Sequence, residues 1–243
     1  MKKAIIMGAS SGIGHAVAQL LIAEGWQVGL AARRTEPLMA LKALAPERVE
    51  VMAIDVTDEA SPRLLATLMD RMGKTDLYFH ASGIGKQNAC LDTTIEQNTI
   101  QTNVLGFTRM VDEAFLQMVK QGSGHIAVIS SVAGTKGMGR AASYSASKAY
   151  QSTYIQALDQ LAVGRQLHIR FTDIRPGFVD TPLLTGDHYP MLMQTTTVAK
   201  AALRAIFRGQ RVCIIDWRYR LLVALWRMIP NRLWRSIRLG RTQ

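Results

Sequence analysis

The stretch Gly8-Ala9-Ser10-Ser11-Gly12-Ile13-Gly14 lies between an apolar run, residues 3–7, and a segment with helical spacing that begins at His15. An apolar run that enters glycines and leaves as a helix reads as strand, turn, helix, the opening unit of a nucleotide-binding α/β fold. Gly8 permits the tight turn, Gly12 lets backbone approach a phosphate, and Gly14 lets the helix pack on the strand. The amides of Ser10, Ser11 and Ile13 and the positive end of the helix dipole would then face an anion such as a pyrophosphate.

The rest of the chain keeps this rhythm. Residues 26–32, 49–54, 77–80, 124–129, 167–174 and 212–215 read as strands, and residues 36–45, 62–72, 95–121, 143–165 and 198–208 as helices. Such alternation predicts an α/β fold, a doubly wound parallel sheet of Rossmann-like type with helices on both faces. Ligands in these sheets bind beyond the carboxyl ends of the strands, the edge to which the glycine turn, Arg33, Asp55, Gly83, Ser131 and Pro176 all belong. Arg33 follows the second strand, and Ala32 stands where a carboxylate would bond a ribose 2′-hydroxyl. A guanidinium there accommodates a 2′-phosphate, which favours NADP(H) over NAD(H). Asp55 and Val56 follow the third strand, where an adenine amino group would be met. Ala81 and Gly83 follow the fourth and are small enough for backbone to pass close to a ligand.

Tyr144 and Lys148 are four residues apart on the helix expected over 143–165, hence one turn apart on one face. A free phenol titrates near pKa ~10, and a fixed ammonium beside it is expected to lower that value toward the range of a general acid or base. Tyr-x-x-x-Lys alone is a weak pattern and gains weight only from the cofactor signals. Asn103 stands inside the helix expected over 95–121, where asparagine is unfavourable, so it calls for a kink or a catalytic role. His80, a lone histidine at a strand end, reads as a structural hydrogen bonder.

Jointly these residues resemble the short-chain dehydrogenase/reductase family, single-domain type, from about residue 3 to residue 182. The resemblance rests on Gly8-x-x-x-Gly12-x-Gly14, Asp55-Val56, Asn103, Ser131 thirteen residues before Tyr144, Tyr144-x-x-x-Lys148, and Pro176-Gly177 with Val179 and Thr181. Two departures are visible: Met7 replaces the family's usual Thr, and His80-Ala81-Ser82-Gly83 replaces Asn-Asn-Ala-Gly, so altered local bonding is expected. The resemblance implies about seven strands in the order 3-2-1-4-5-6-7. It implies NADPH-dependent interconversion of a carbonyl and an alcohol, in a homodimer or homotetramer. Tyr144 would give the proton in reduction and take it in oxidation, and Ser131 would hydrogen-bond the substrate oxygen. Lys148 would lower the Tyr144 pKa and bond the nicotinamide ribose. Asn103 would hold a water linking Lys148 to solvent. Pro176, Gly177, Val179 and Thr181 would hold the nicotinamide carboxamide. A non-catalytic NADP(H)-binding regulator or scaffold of the same fold is the rival, against which the intact set Asn103, Ser131, Tyr144 and Lys148 weighs.

Charge matters chiefly at the C-terminus. Of the net +11, +9 falls from residue 204 onward, where ten arginines meet one acid, Asp216. Residues 1–216 read as one dinucleotide-binding catalytic domain and 217–243 as a basic amphipathic extension broken at Pro230. Its mixture of Arg, Trp and Leu suits a helix lying in a membrane interface or packing on a partner subunit. Nucleic acid is not indicated, because no reading element accompanies the charge. Its apolar run is far below the about 20 residues that span a bilayer. Residues 182–197 would form a substrate lid, in which Leu183, Leu184, Met191, Leu192 and Met193 suggest an apolar substrate or belong to the core. Cys90 and Cys213 form no metal-ligand pattern and read as free thiols of a reducing compartment. The N-terminal apolar run stops at Gly8, too soon for a secretory signal. The expected location is the cytoplasm, peripheral on the inner face of a membrane if the tail docks there.

Overall fold

The computed structural model describes residues 1–184 and 189–237. One parallel sheet holds seven strands in the order β3-β2-β1-β4-β5-β6-β7, as expected. They are β1 (Lys3–Met7), β2 (Gln27–Ala32), β3 (Val49–Ala53), β4 (Leu77–His80), β5 (Ser123–Ile129), β6 (His168–Pro176) and β7 (Val212–Ile215). The intervening helices are α1 (Gly12–Ala23), α2 (Glu36–Ala43), α3 (Ser61–Met72), α4 (Thr93–Ile100), α5 (Phe107–Gln121), α6 (Ala142–Gly164) and α7 (Thr195–Phe207), with α8 (Trp217–Met228) and α9 (Asn231–Trp234) after the last strand.

A strand covered on both faces must be apolar on both, and successive side chains divide between the two layers. In β1, Ile6 joins Val17, Leu21, Leu38, Val198 and Leu203 of α1, α2 and α7. Its neighbour Ile5 joins Leu65, Leu68, Met110, Phe115 and Ile155 of α3, α5 and α6 on the other side.

The long helix expected over 95–121 is three pieces. Between α4 and α5 the chain makes a π-helical turn, Gln101–Gly106, with Asn103 inside it. The kink expected at Asn103 is this turn, a form of helix that recurs at functional positions. Gly106 lies so close to Val56 that a Cβ there would stand 2.8 Å from the Val56 carbonyl oxygen.

The tail forms α8, capped by Asp216, whose carboxylate accepts from the Arg218 amide at 3.0 Å. One face of α8 puts Tyr219, Val223 and Trp226 into the same core as Ile215 and Val179. Trp226 Nε1 donates to Thr135 Oγ1 at 2.8 Å, and Trp234 Nε1 to the Gly137 carbonyl at 2.7 Å. Lys136 Nζ donates to the Ile229 carbonyl and to Asn231 Oδ1, each at 2.9 Å. This face is therefore covered by the chain itself rather than by a partner or a membrane. Met193, expected either in the lid or in the core, is core. Residues 185–188 of the expected lid and residues 238–243 of the expected tail lie outside the described residues. No described helix is long and apolar enough to cross a membrane.

Candidate active site

The glycine turn runs from the end of β1 into α1 at the carboxyl edge of the sheet. Gly8 has φ +90°, and a Cβ there would lie 2.6 Å from the Ser82 amide nitrogen. A Cβ on Gly14 would collide with the Gly8 carbonyl. The turn is thus packed against the segment after β4, where the Ala81 amide donates to the Met7 carbonyl at 2.8 Å. Met7, in place of the usual Thr, makes this link through backbone alone. Ser11 caps α1 without a side-chain hydrogen bond, so the first amides of α1 stay available to an anion. Across this gap stands Thr181, whose methyl would be 3.2 Å from a Cβ on Gly12. Gly12 and Thr181 thus face each other across the turn in a cradle that a side chain on Gly12 would narrow, while Gly8 and Gly14 let the turn pack on the segment after β4 and on itself.

At the far end of β2, Arg33 Nε lies 4.0 Å from Asp55 Oδ2, with both side chains open to solvent. Asp55 Oδ1 accepts from the Thr57 amide at 2.9 Å and from its hydroxyl at 2.8 Å, which fixes the carboxylate beside the guanidinium. Val56 is buried.

The chemistry-bearing residues sit past β5 and on α6. Ser131, after β5, accepts from the Ala133 amide at 3.1 Å and donates to the Pro176 carbonyl at 3.4 Å. Glu96 of α4 anchors the start of α6 by accepting the Ser143 amide at 3.0 Å. An acid at a helix N-terminus meets unpaired amides and the positive end of the dipole. Gly85 allows the loop after β4 to lie on the Tyr144 ring, since a Cβ there would be 2.6 Å from it.

The depressed phenol pKa expected from Lys148 is not what the site produces. Burial raises the Tyr144 pKa above its ordinary value, and an interaction with the Ser131 hydroxyl draws it partly back. Lys148 is turned to other partners: its Nζ donates to the Ile129 carbonyl and to Gln151 Oε1, each at 2.9 Å. Burial also lowers its own pKa to about 8, against the opposing charge of Asp173. Nζ stands 5.8 Å from the centre of the Tyr144 ring.

Gln151 is a site residue that motif reading passed over. Its Nε2 donates to the Asn103 carbonyl at 2.9 Å while its Oε1 holds Lys148. Gln151 thus ties Lys148 to the backbone of Asn103, the residue that the resemblance gives a water linking Lys148 to solvent. The side chain of Asn103 clamps the loop after β4, with Oδ1 accepting the Ile84 amide at 2.9 Å and Nδ2 donating to the Ile84 carbonyl at 2.7 Å. Nδ2 also reaches Ser147 Oγ at 3.1 Å. Gly83, in that loop, lies against Asn103 Oδ1 and Lys148 Nζ.

Tyr219 of α8 was also missed. Its ring packs flat against Gly177, where any Cβ would collide with it. Its hydroxyl accepts the Phe178 amide at 3.0 Å and donates to the Pro190 carbonyl at 3.0 Å. The tail helix thus holds the segment carrying Pro176, Gly177, Val179 and Thr181. Val179 itself pairs with Met193 in a short parallel bridge.

His80 is structural, as expected: its Nδ1 lies 3.0 Å from Tyr78 Oη, its ring meets Phe107 edge to face, and burial and the Lys148 charge hold it neutral with a pKa of about 3. A cavity of about 740 Å³ is lined by Lys136, Arg227 and Asn231 with Ala142, Ala146 and Ala149 of α6. Those alanines lie on a different face of α6 from Tyr144 and Lys148, so this cavity is not the site just described.

A family model described as short chain dehydrogenase matches residues 2–188. An uncharacterized oxidoreductase of Mycobacterium tuberculosis is 35% identical over 245 residues, covering 96% of each chain. Another, from Myxococcus xanthus, is 32% identical over 242 residues, covering 96% of this chain and 94% of its own. Among solved structures, an actinorhodin polyketide ketoreductase with NADPH is similar at TM-score 0.77 and 25% identity, over 88% of this chain and 95% of its own. A short-chain dehydrogenase from Streptomyces avermitilis superposes at TM-score 0.82 and 24% identity, over 93% of each chain.

Proposed function

Because the chain belongs to the short-chain dehydrogenase family of oxidoreductases, we propose that it reduces a carbonyl of an apolar substrate with NADPH. The observation that carries this is the meeting of Ser131, Tyr144 and Lys148 at the same sheet edge as the glycine cradle. Bound there, NADPH supplies a hydride. The protein's own residues do the rest. The amides of the glycine turn and α1 hold the pyrophosphate, with Gly8 and Gly14 letting the turn pack tightly and Gly12 letting backbone approach the phosphates. Arg33 pairs with the 2′-phosphate, and Asp55 and Val56 face the adenine. Ala81 and Gly83 let backbone pass the ribose, and Pro176, Gly177, Val179 and Thr181 hold the carboxamide.

Ser131 hydrogen-bonds the carbonyl oxygen and stabilises the charge that builds on it. Tyr144 gives that oxygen a proton. A phenol whose pKa is raised by burial is protonated at neutral pH, which suits donation and hence reduction. Lys148 provides the neighbouring positive charge and a donor for the ribose hydroxyls. Leu183 and Leu192, exposed on the described part of the lid segment, favour an apolar substrate. The relative solved with NADPH supports the cofactor assignment. We assign the enzyme a homodimeric or homotetrameric state.

The test is a panel of aldehydes and ketones with NADPH consumption as the readout. Turnover of at least one panel member is expected. Tight NADPH binding with no turnover across the panel would point to a scaffold and contradict the assignment. In the same assay Arg33→Ala should raise the KM for NADPH by about ten- to a hundredfold, the loss of one charge-assisted contact, and leave that for NADH nearly unchanged.

A further inference from the structure

The face of α8 opposite Tyr219, Val223 and Trp226 is apolar and uncovered. Trp217, Leu221, Leu225 and Met228 recur at intervals of four, four and three, one stripe along the helix. They are 64, 54, 56 and 79% exposed, far beyond what a packed helix leaves in water. Leu233 and Ile237 extend the apolar surface past Pro230. Arg220 and Arg227 flank the stripe on one side, and Arg232 and Arg235 follow it. Residues 217–237 contain no acid, and among the described residues none of these four arginines has a carboxylate partner.

We infer that this stripe docks the protein on an anionic phospholipid surface, with α8 lying in the plane of the headgroups. A helix with Trp and Leu on one face and arginines along its border matches the chemistry of that interface. The arginines meet anionic headgroups, and Trp217 sits at the depth where indoles collect. A second copy fits less well: a twofold contact over the same stripe would set arginines against arginines, and the acid at the helix start, Asp216, is already paired with Arg218. Docking does not depend on the assigned chemistry, because the stripe lies on the face of α8 turned away from Tyr219.

The test is co-flotation of the full chain with phosphatidylcholine vesicles, with and without about one third phosphatidylglycerol, at low and high salt. Binding only to the anionic vesicles, reversed by salt and accompanied by a blue shift of tryptophan emission that Trp217→Phe removes, is expected. Leu221→Glu with Leu225→Glu should abolish flotation, and Arg227→Ala should weaken it roughly fivefold. Both leucines are exposed, so these variants keep the core that deletion of the whole tail would destroy. NADPH binding of the double variant should equal that of the parent, which separates failure of docking from failure of the cofactor site. No flotation of the parent chain at low salt would overturn the inference. So would a parent dimer that the double variant converts to monomer without vesicles present, since the stripe would then belong to a second copy.

Discussion

Burial shifts Tyr144 and Lys148 toward their neutral forms, the phenol upward and the ammonium down to about 8. The spacing of Tyr144 and Lys148 was legible in the chain, but the directions in which they titrate were not. Spacing reports that two groups share a helix face; it carries no information on how much water remains there or on which acceptors the ammonium finds. Gln151 is one of those acceptors, three residues beyond Lys148 on the same helix. It is a positioning residue that ties Lys148 to the Asn103 carbonyl. Replacing it by Leu removes one acceptor from a buried cation, which should lower the Lys148 pKa further. Gln151→Leu should therefore move the Lys148-dependent limb of the kcat/KM pH profile to lower pH, while Gln151→Glu moves it higher. Profiles that stay in place in both variants would show that Gln151 only fills space.

Strand and helix order was readable throughout because buried parallel strands are apolar on both faces and their helices are periodic. The π-helical turn was not, since its one clue was an unfavourable Asn103, which equally fits other irregularities. The tail was harder still. Its arginines and tryptophans drew attention outward, whereas Tyr219, Val223 and Trp226 face inward at the same helical period. No local pattern says which of two amphipathic faces meets the domain. The link from α8 to the segment carrying Gly177 is long-range, from Tyr219 to Phe178 and Pro190. Tyr219→Phe should cost about 1–3 kcal/mol locally, because two hydrogen bonds, to the Phe178 amide and the Pro190 carbonyl, are lost at roughly 0.5–1.5 kcal/mol each. The expected result is faster hydrogen exchange at Phe178 and in the residues near Pro190, with a higher KM for NADPH. Unchanged exchange there would show that the segment holds its place without α8.

At the scale of the whole molecule, the buried His80 and His125 weaken the fold in acid. His80 and His125 have pKa values lowered to about 3 and about 4, in both cases chiefly by burial. Unfolding returns them to ordinary values, so between pH ~6.5 and ~4 the unfolded chain binds more protons and stability falls as pH falls. Glu96 and Asp216, whose carboxyls are held below their usual range by hydrogen bonds from Asn88 and from Arg218, add their loss at still lower pH. A loss of a few kcal/mol at this chain length should lower the Tm by roughly 10 °C between pH 6.5 and 4, and a constant Tm over that interval would contradict the buried, neutral state of both rings. In the reaction proposed for the molecule, Tyr144 is the proton donor at the carboxyl edge of the sheet. Tyr144→Phe keeps the ring that lies under the Gly85 loop and removes only the hydroxyl. Its NADPH affinity, measured by cofactor fluorescence, should stay within a few-fold of the parent, while kcat for carbonyl reduction falls by at least about a hundredfold. Parent-like turnover in Tyr144→Phe with NADPH bound would contradict the assignment of Tyr144 as the acid.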